Sequence, residues 1–320
     1  MTTTLTEVPT LRTNLATYPV TKALKEGRVA SDIVDLDFCG PTPAHNGFKA
    51  MVRESKFDAG ELAIVTFLQA KAYGKPYVLL PTPISGRFQH HCAGFNIDFG
   101  HLDPKDIEGK PVGVCTYTQT TALWIRGILR HEYGVDLDKV TWMTLGDGHL
   151  AEYRDPNNCV RLPAGSSIPQ MMLDGELSAA LLGEDMPKDE RVRTLVPDAK
   201  AAAKDWFARE GVVPINHMFV VHEDLPKKHP EIVRELYRMI VESRALTEGG
   251  VPAVFPPIGL EANRKGIQLA IDWALDQKII PHRLSVDELF DDVTGSLGEG
   301  DRSLKTQSTG DISLCIRPGV

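Results

Sequence analysis

Between Leu11 and Val221, short apolar runs alternate with stretches of helical periodicity; after Val221 only the helical pattern continues. That order constrains the fold more than any other feature of the chain. Strands separated by helices build α/β layers, with helices covering the sheet faces. Strands are expected at LRTNLA, IVDLDF, LAIVTF, YVLLPT, KPVGVC, VTWMTL, SAALLG and INHMFVV. Helices are expected between them at VTKALKEG, AHNGFKAMVRES, 119–133, SIPQMMLDGE and AAAKDWFARE. The C-terminal helices are EIVRELYRMIVESRALTE, ANRKGIQLAIDWALDQ and the short VDELFDD. In helix 119–133, Trp124, Ile125, Ile128, Leu129 and Tyr133 form a stripe that faces the core, which leaves Arg126 and Arg130 on the polar side.

Two extended runs suggest how the chain divides. QHHCAGFN (89–96) precedes a polar turn and a fresh βα unit, and GVVPINHMFVV (211–221) precedes the C-terminal helices. A chain that leaves one lobe, builds a second and returns needs two such crossovers. Lobe one is then 1–93 plus 217–293, lobe two is 94–216, and a Gly- and Ser-rich tail, 294–320, is expected to pack loosely. At 320 residues and 42% hydrophobic content the chain can bury cores for two lobes. Ligands of such folds bind between lobes, near strand carboxyl ends and helix N-termini.

Charge and composition exclude several partners. A net charge of −8 without a long basic run argues against nucleic acid. No segment approaches the roughly 18 continuous apolar residues of a membrane span, and MTTTLTEVPTLRTNLATYPV lacks the basic and apolar regions of a signal peptide. The five cysteines are scattered and never form CxxC, which fits reduced thiols in a cytoplasm and neither a disulfide framework nor a structural zinc site.

The helix at TYTQTTALWIRGILRHEY opens with hydroxyls and no acid. Thr118 reads as its N-cap, with Thr120 and Thr121 adding hydroxyls beside free backbone N–H groups. Such a start either caps a helix or receives an anion, and an organic carboxylate suits it better than a nucleotide, because neither GxGxxG nor GxxxxGK is present. Histidines come next. His90 and His91 lie on the first extended run, facing opposite ways if it is a strand, and His217 lies on the second. Crossovers that run side by side would bring His90 and His217 together as acid and base; alone, each would be a structural histidine. No HExxH is present, so no metal site is expected. Arg87 and Arg126 are the candidate guanidinium partners of a carboxylate. No GxSxG elbow supports nucleophilic hydrolysis.

WIRGILRHEYGV, GVVPINHMFVVHEDLPKKHPEIVRELY and LATYPVTKALKEGRV resemble the 4,5-dihydroxyphthalate decarboxylase family. The resemblance runs with interruptions from Leu15 to Ala245. It implies a two-lobed α/β fold like that of type II periplasmic binding proteins, a cytoplasmic location, and loss of CO₂ from an aromatic carboxylic acid without an organic cofactor. Its matching positions are Tyr18, Ser85, Phe88, His90, helix 120–129 and His217. Arginines of the family pattern are replaced here by Gly86, Gln89 and Asp185, and small hydroxyl residues by Ala63 and Val65. These departures point to a substrate less negatively charged than a dihydroxylated phthalate. His90 and His217 are thus the expected catalytic pair. Thr118, Thr120, Thr121, Arg126, Arg87, Tyr18 and Ser85 are expected around the substrate, with Phe88 and Trp124 as an apolar wall. The expected partners are a small aromatic carboxylate as substrate and further copies of the chain in a homo-oligomer, whose size the sequence does not give. A non-catalytic carboxylate-binding protein of the same fold is the competing reading.

Overall fold

The structure, a computed structural model, describes residues 8–298. The first strands are β1 (Thr10–Asn14), β2 (Asp35–Asp37), β3 (Ala59–Ala63) and β4 (Tyr77–Gly86). They are followed by β5 (Ala93–Asn96), β6 (Pro111–Val114), β7 (Thr141–Thr144) and β8 (Cys159–Arg161). The last are β9 (Ala179–Leu181), β10 (Val192–Thr194) and β11 (Ile215–His222). Helices α1 (Lys22–Lys25), α2 (Phe48–Glu54), α3 (Ile64–Ala72), α4 (Thr120–Tyr133) and α5 (Ile168–Leu173) precede α6 (Ala199–Glu210). After them come α7 (Asp224–Lys228), α8 (Pro230–Ala245), α9 (Leu260–Asp276) and α10 (Asp292–Gly295).

Two mixed sheets result. One has the order β2-β1-β3-β11-β4 and the other β10-β5-β9-β6-β7-β8. The chain leaves the first sheet after β4, builds the second, and returns as β11, which is antiparallel to both β3 and β4. Within each sheet the βα units pair in parallel: β1 with β2 and β3, and β6 with β7 and β9. Parallel order places the carboxyl ends of β1, β3, β6, β7 and β9, and the helices that follow them, on corresponding edges where a ligand can meet both sheets.

Several expected elements change form. LAIVTF is not one strand: β3 ends at Ala63 and α3 starts at Ile64, so the buried run serves two elements, which apolar periodicity cannot separate. His90–Cys92 is a 3₁₀ turn and only Ala93–Asn96 is strand, so the strand argument for opposite faces of His90 and His91 does not apply. β8 and β10 are three-residue edge strands that are largely solvent-facing, and no apolar run announces them. The first residues of the tail expected to pack loosely are packed instead: Thr294 and Leu297 are buried, and α10 starts from a capping box at Asp291. The rest of the tail, 299–320, lies outside the described residues.

α9 fastens the C-terminal helices to α4. Trp273 meets Trp124 edge-on at 5.5 Å and stacks on His131 at 5.3 Å. The close approach requires Gly127, where an added Cβ would run into the Trp273 indole. Trp124 itself donates its Nε1–H to Ile215 O at 2.9 Å, binding α4 to the start of β11. α9 therefore contacts elements of both sheets, and a boundary drawn by residue number does not capture its packing.

Gly127→Ala is expected to cost about 1–3 kcal/mol, the usual effect of overpacking, read by urea denaturation; unchanged stability would show that the indole is not closely held. His90 gives a pH prediction. Its ring is 1% exposed, edge-on to Trp206 at 5.8 Å and Phe88 at 6.5 Å, and desolvation, helped by His91 and Arg209, lowers its pKa to about 4. The unfolded chain binds this proton below about pH 6.5 while the folded protein refuses it until about pH 4, so stability falls as pH drops through that window. Between pH 7 and 4.5 the wild type should lose about 2–3 kcal/mol more than His90→Phe; equal losses would sink the assignment.

Candidate functional site

The end of the first sheet carries a buried proton-handling cluster. His217 on β11 pairs with Ala63 of β3 and Ser85 of β4, so these side chains share one face of the sheet. Glu61, two residues before Ala63, is the diagonal neighbour of His217 and fully buried. Its Oε2 accepts from His217 Nδ1 at 2.5 Å and from the Tyr18 hydroxyl at 3.0 Å, and its Oε1 accepts from Ala16 N–H at 2.7 Å. With the Ala16 N–H and the Tyr18 hydroxyl on its other positions, Glu61 Oε2 accepts the N–H of His217 Nδ1. Nε2 is then the nitrogen available to a ligand. Burial, reinforced by the charge of Glu61, holds the Tyr18 hydroxyl protonated well above the usual phenol range. Tyr18 thus supports the cluster as a donor.

Phe48, at the start of α2, stands between two histidines. Its ring is edge-on to His217 at 5.4 Å and to His149 at 5.6 Å. Asn14 secures this approach by donating to Ala44 O at 3.0 Å, while Gly40 and Gly47 leave no Cβ to obstruct its amide. His149 follows β7 in the second sheet. Its Nδ1 meets Thr66 Oγ1, in the first turn of α3, at 2.7 Å, and Arg53 donates to the His149 carbonyl at 2.6 Å. Desolvation, then Lys49, His45, Arg53 and His217, lower its pKa to about 4, so its ring is neutral near pH 7.

Two helix N-termini meet at the same place. α3 and α4 have no acid in their first turns, and Val65 N–H donates to Thr120 Oγ1 at 3.4 Å. Gln119, not Thr118, is the N-cap residue of α4, and its side chain makes no capping bond. Thr118, Thr120 and Thr121 are nearly buried; Thr118 lies against Gly148, and Thr121 against Gly183. Arg87 pairs with Glu184 beside Gly183, so its charge is already matched. Among the described residues, no group of three or more His, Cys, Asp or Glu side chains is placed to hold a metal ion.

Other expected site residues are employed elsewhere. Arg126 is fully buried: it donates to Tyr117 O at 2.5 Å and Gln277 Oε1 at 2.8 Å, and its guanidinium lies 3.8 Å over the Tyr117 ring. It is a packing cation beneath α4, a correction to its expected place on the polar side. Trp124 is fully buried against Trp273, and Phe88 packs on His90 and on Phe207 of α6. His90 shares that aromatic cluster with Phe88 and Trp206, whereas His217 packs with Glu61, Tyr18 and Phe48. Sequence reading missed Glu61, Thr66 and His149. The signals were an acid inside the apolar run AGELAIV and a histidine just beyond a strand carboxyl end.

No family model matches the chain. A 4,5-dihydroxyphthalate decarboxylase of Comamonas testosteroni is 29% identical over 248 residues, covering 72% of this chain and 73% of that protein. One of Pseudomonas putida is 28% identical over 205 residues, covering 59% and 78%. In fold, the alkanesulfonate-binding protein SsuA of Xanthomonas axonopodis pv. citri, bound to MOPS, matches with TM-score 0.55 at 12% identity, over 88% of this chain and 98% of its own. SsuA of Escherichia coli matches with TM-score 0.55 at 12% identity over 88% and 92%. The desulfurization enzyme DSZB matches with TM-score 0.52 at 14% identity over 90% and 98%. Among the described residues no helix is long and apolar enough to cross a membrane. The chain resembles the 4,5-dihydroxyphthalate decarboxylases in sequence and has the two-sheet α/β fold of type II periplasmic binding proteins.

Proposed function

We propose that the protein is a carboxy-lyase that removes CO₂ from a hydroxylated aromatic carboxylic acid related to 4,5-dihydroxyphthalate, as part of the breakdown of aromatic compounds. The observation that carries this reading is the Glu61–His217 bond, 2.5 Å long with the carboxylate fully buried. A cleft that only captures a carboxylate needs donors; it does not need a histidine backed by a buried anion. Glu61 orients the His217 ring with Nε2 toward the cleft, the arrangement of a histidine that hands a proton to a substrate.

The chemistry follows from the substrate. A hydroxyl ortho or para to the carboxylate feeds electron density to the ring carbon that bears it. Nε2–H of the His217 imidazolium delivers its proton to that carbon. The carbon–carboxylate bond then breaks, its electron pair returns to the ring, and CO₂ leaves. The sum is aryl carboxylate plus one proton giving arene plus CO₂. The ring itself holds the transient charge, so the proposed route calls on no organic cofactor. The N-termini of α3 and α4, with Thr118, Thr120 and Thr121, supply neutral donors for an anionic group of the substrate. His149, neutral, offers Nε2 to the substrate from the second sheet, and Phe48 excludes water between the two histidines.

Incubating the protein with a panel of hydroxylated benzoates and phthalates should release CO₂ from at least one. Binding without CO₂ release would move the binding-protein reading ahead. With that substrate, His217→Asn should lower kcat by about 10²–10⁴-fold with a small change in KM, because the lost contact belongs to the transition state. Glu61→Gln should lower kcat at least about tenfold, because it removes the carboxylate that holds the His217 ring in position. Full turnover in both variants would exclude the dyad. His149 stays neutral down to about pH 4. Its replacement by Gln should therefore raise KM with little change in kcat, the reverse of the His217→Asn pattern.

A further inference from the structure

Where the two sheets meet, one guanidinium stands beside the hydroxyl-lined start of α4. Arg87 immediately follows β4 and lies two positions beyond Ser85, the cross-strand neighbour of His217. Its side chain leans over Gly183, just past the carboxyl end of β9 in the other sheet. A Cβ added at Gly183 would stand 3.2 Å from Arg87 Nη2 and 3.8 Å from Thr121 Oγ1. Thr121 is in the first turn of α4, the helix start to which an anionic group of the substrate is assigned above. A cation within reach of that start adds a second place for an anion next to the first.

That second place is already filled. Arg87 Nη1 donates to Glu184 Oε1, and among the described residues this is the one hydrogen bond of the Glu184 side chain. The Glu184 side chain is 79% exposed and that of Arg87 33% exposed, so the acid covers the cation from the solvent side. An exposed ion pair contributes little to folding. Its position matters more. The Tyr18 hydroxyl is kept protonated by burial, then by Glu61, and then by the charge of Glu184, whose field thus reaches the Glu61–His217 cluster. Asp185 puts a second acid on the same turn.

We propose that Glu184 is a specificity-determining residue: its carboxylate fills the place at Arg87 that a second substrate carboxylate would occupy. The inference rests on reading the cleft as a site for an aromatic carboxylate, and it narrows the substrate class to monocarboxylates, the hydroxybenzoates. A benzoate needs one anion place, which the starts of α3 and α4 provide. A phthalate brings a second carboxylate to the turn at Gly183. There it must displace a tethered competitor of high effective concentration, or lie unpaired against Glu184 and Asp185.

The test uses the full chain and two probes, 4-hydroxybenzoate and 4-hydroxyphthalate, which differ by one carboxylate adjacent to the first. Calorimetric titration in the His217→Asn background reads affinity without turnover. With Glu184 in place, 4-hydroxybenzoate should bind at least about tenfold more tightly, the scale of one hydrogen bond to a charged group. Glu184→Gln, at an exposed position, should keep the melting profile. It should raise the affinity for 4-hydroxyphthalate about tenfold and change that for 4-hydroxybenzoate by less than about twofold. Adding Arg87→Gln should abolish the gain, because the gain comes from the freed guanidinium. Equal binding of the two probes with Glu184 in place would overturn the proposal. So would a Glu184→Gln variant that gains on both probes or on neither, or a gain that survives the loss of Arg87. CO₂ release by the wild type without this preference would strike the present inference alone. The preference without CO₂ release would uphold it and strike only the decarboxylase reading.

Discussion

The Glu61 carboxylate is the constraint around which the cleft is organised. An ionised carboxylate with no solvent exposure is tolerated only when donors replace its water, since an unpaired buried charge costs several kcal/mol. Its three donors come from separate parts of the chain: the Ala16 N–H and Tyr18 hydroxyl beyond β1, and the His217 ring on β11. The bonds that make its burial tolerable therefore also fix the exit of β1, the Tyr18 ring and the tautomer of His217. β3 places the acid, and the antiparallel pairing of β11 with β3 makes His217 its diagonal neighbour. A parallel return strand would have brought the residues of β11 to this edge in the opposite order. The placement of the His217 ring is thus a consequence of the topology.

The second organising contact crosses between the sheets. α3 follows a strand of the first sheet and α4 a strand of the second, yet Val65 N–H reaches Thr120 Oγ1. Each helix start brings unpaired backbone donors and the positive end of a dipole, and neither brings an acid. Bringing two such ends together is unfavourable without an anion between or beside them, and a substrate carboxylate or phenolate relieves that. Recognition and the joining of the two halves are then one event. Trp124 on Ile215 O, and Arg126 and Tyr117 on Gln277, hold α4 in register against β11 and α9 while it happens.

How much of this was legible in the sequence depends on which physical signal each residue sends. The α/β layers were legible, because alternating apolar runs and amphipathic helices report burial directly. The place of His217 on the returning strand was legible too, as a histidine in an extended apolar run; its role in the chemistry remains the proposal above. Glu61 was not, since its meaning lies in a diagonal pairing between strands more than 150 positions apart in the chain, as the separation of 156 from His217 shows. Arg126 misled for a related reason. Its spacing put it on the polar face of α4, but that face is covered by α9 and Gln277, where cation–π contact with Tyr117 replaces water. His90 misled through its local conformation, because a 3₁₀ turn replaced the expected strand and turned the ring into the Trp206 cluster.

The missing arginines bear on why a binding fold could become a reactive one. The proteins of similar fold named for sulfonate binding capture an anion in its ground state. A decarboxylase has a different requirement: the scissile carboxylate loses its charge on becoming CO₂, so a cation fixed on it would stabilise the ground state more than the transition state. Here Arg87 is engaged by Glu184, Arg126 is turned into the core, and the donors left in the cleft are hydroxyls, backbone N–H groups and a neutral His149. Such donors favour the phenolate-like charge that spreads over the ring as the bond breaks, without clamping the group that must leave. Glu61 stands behind His217, where the proposed proton transfer takes place.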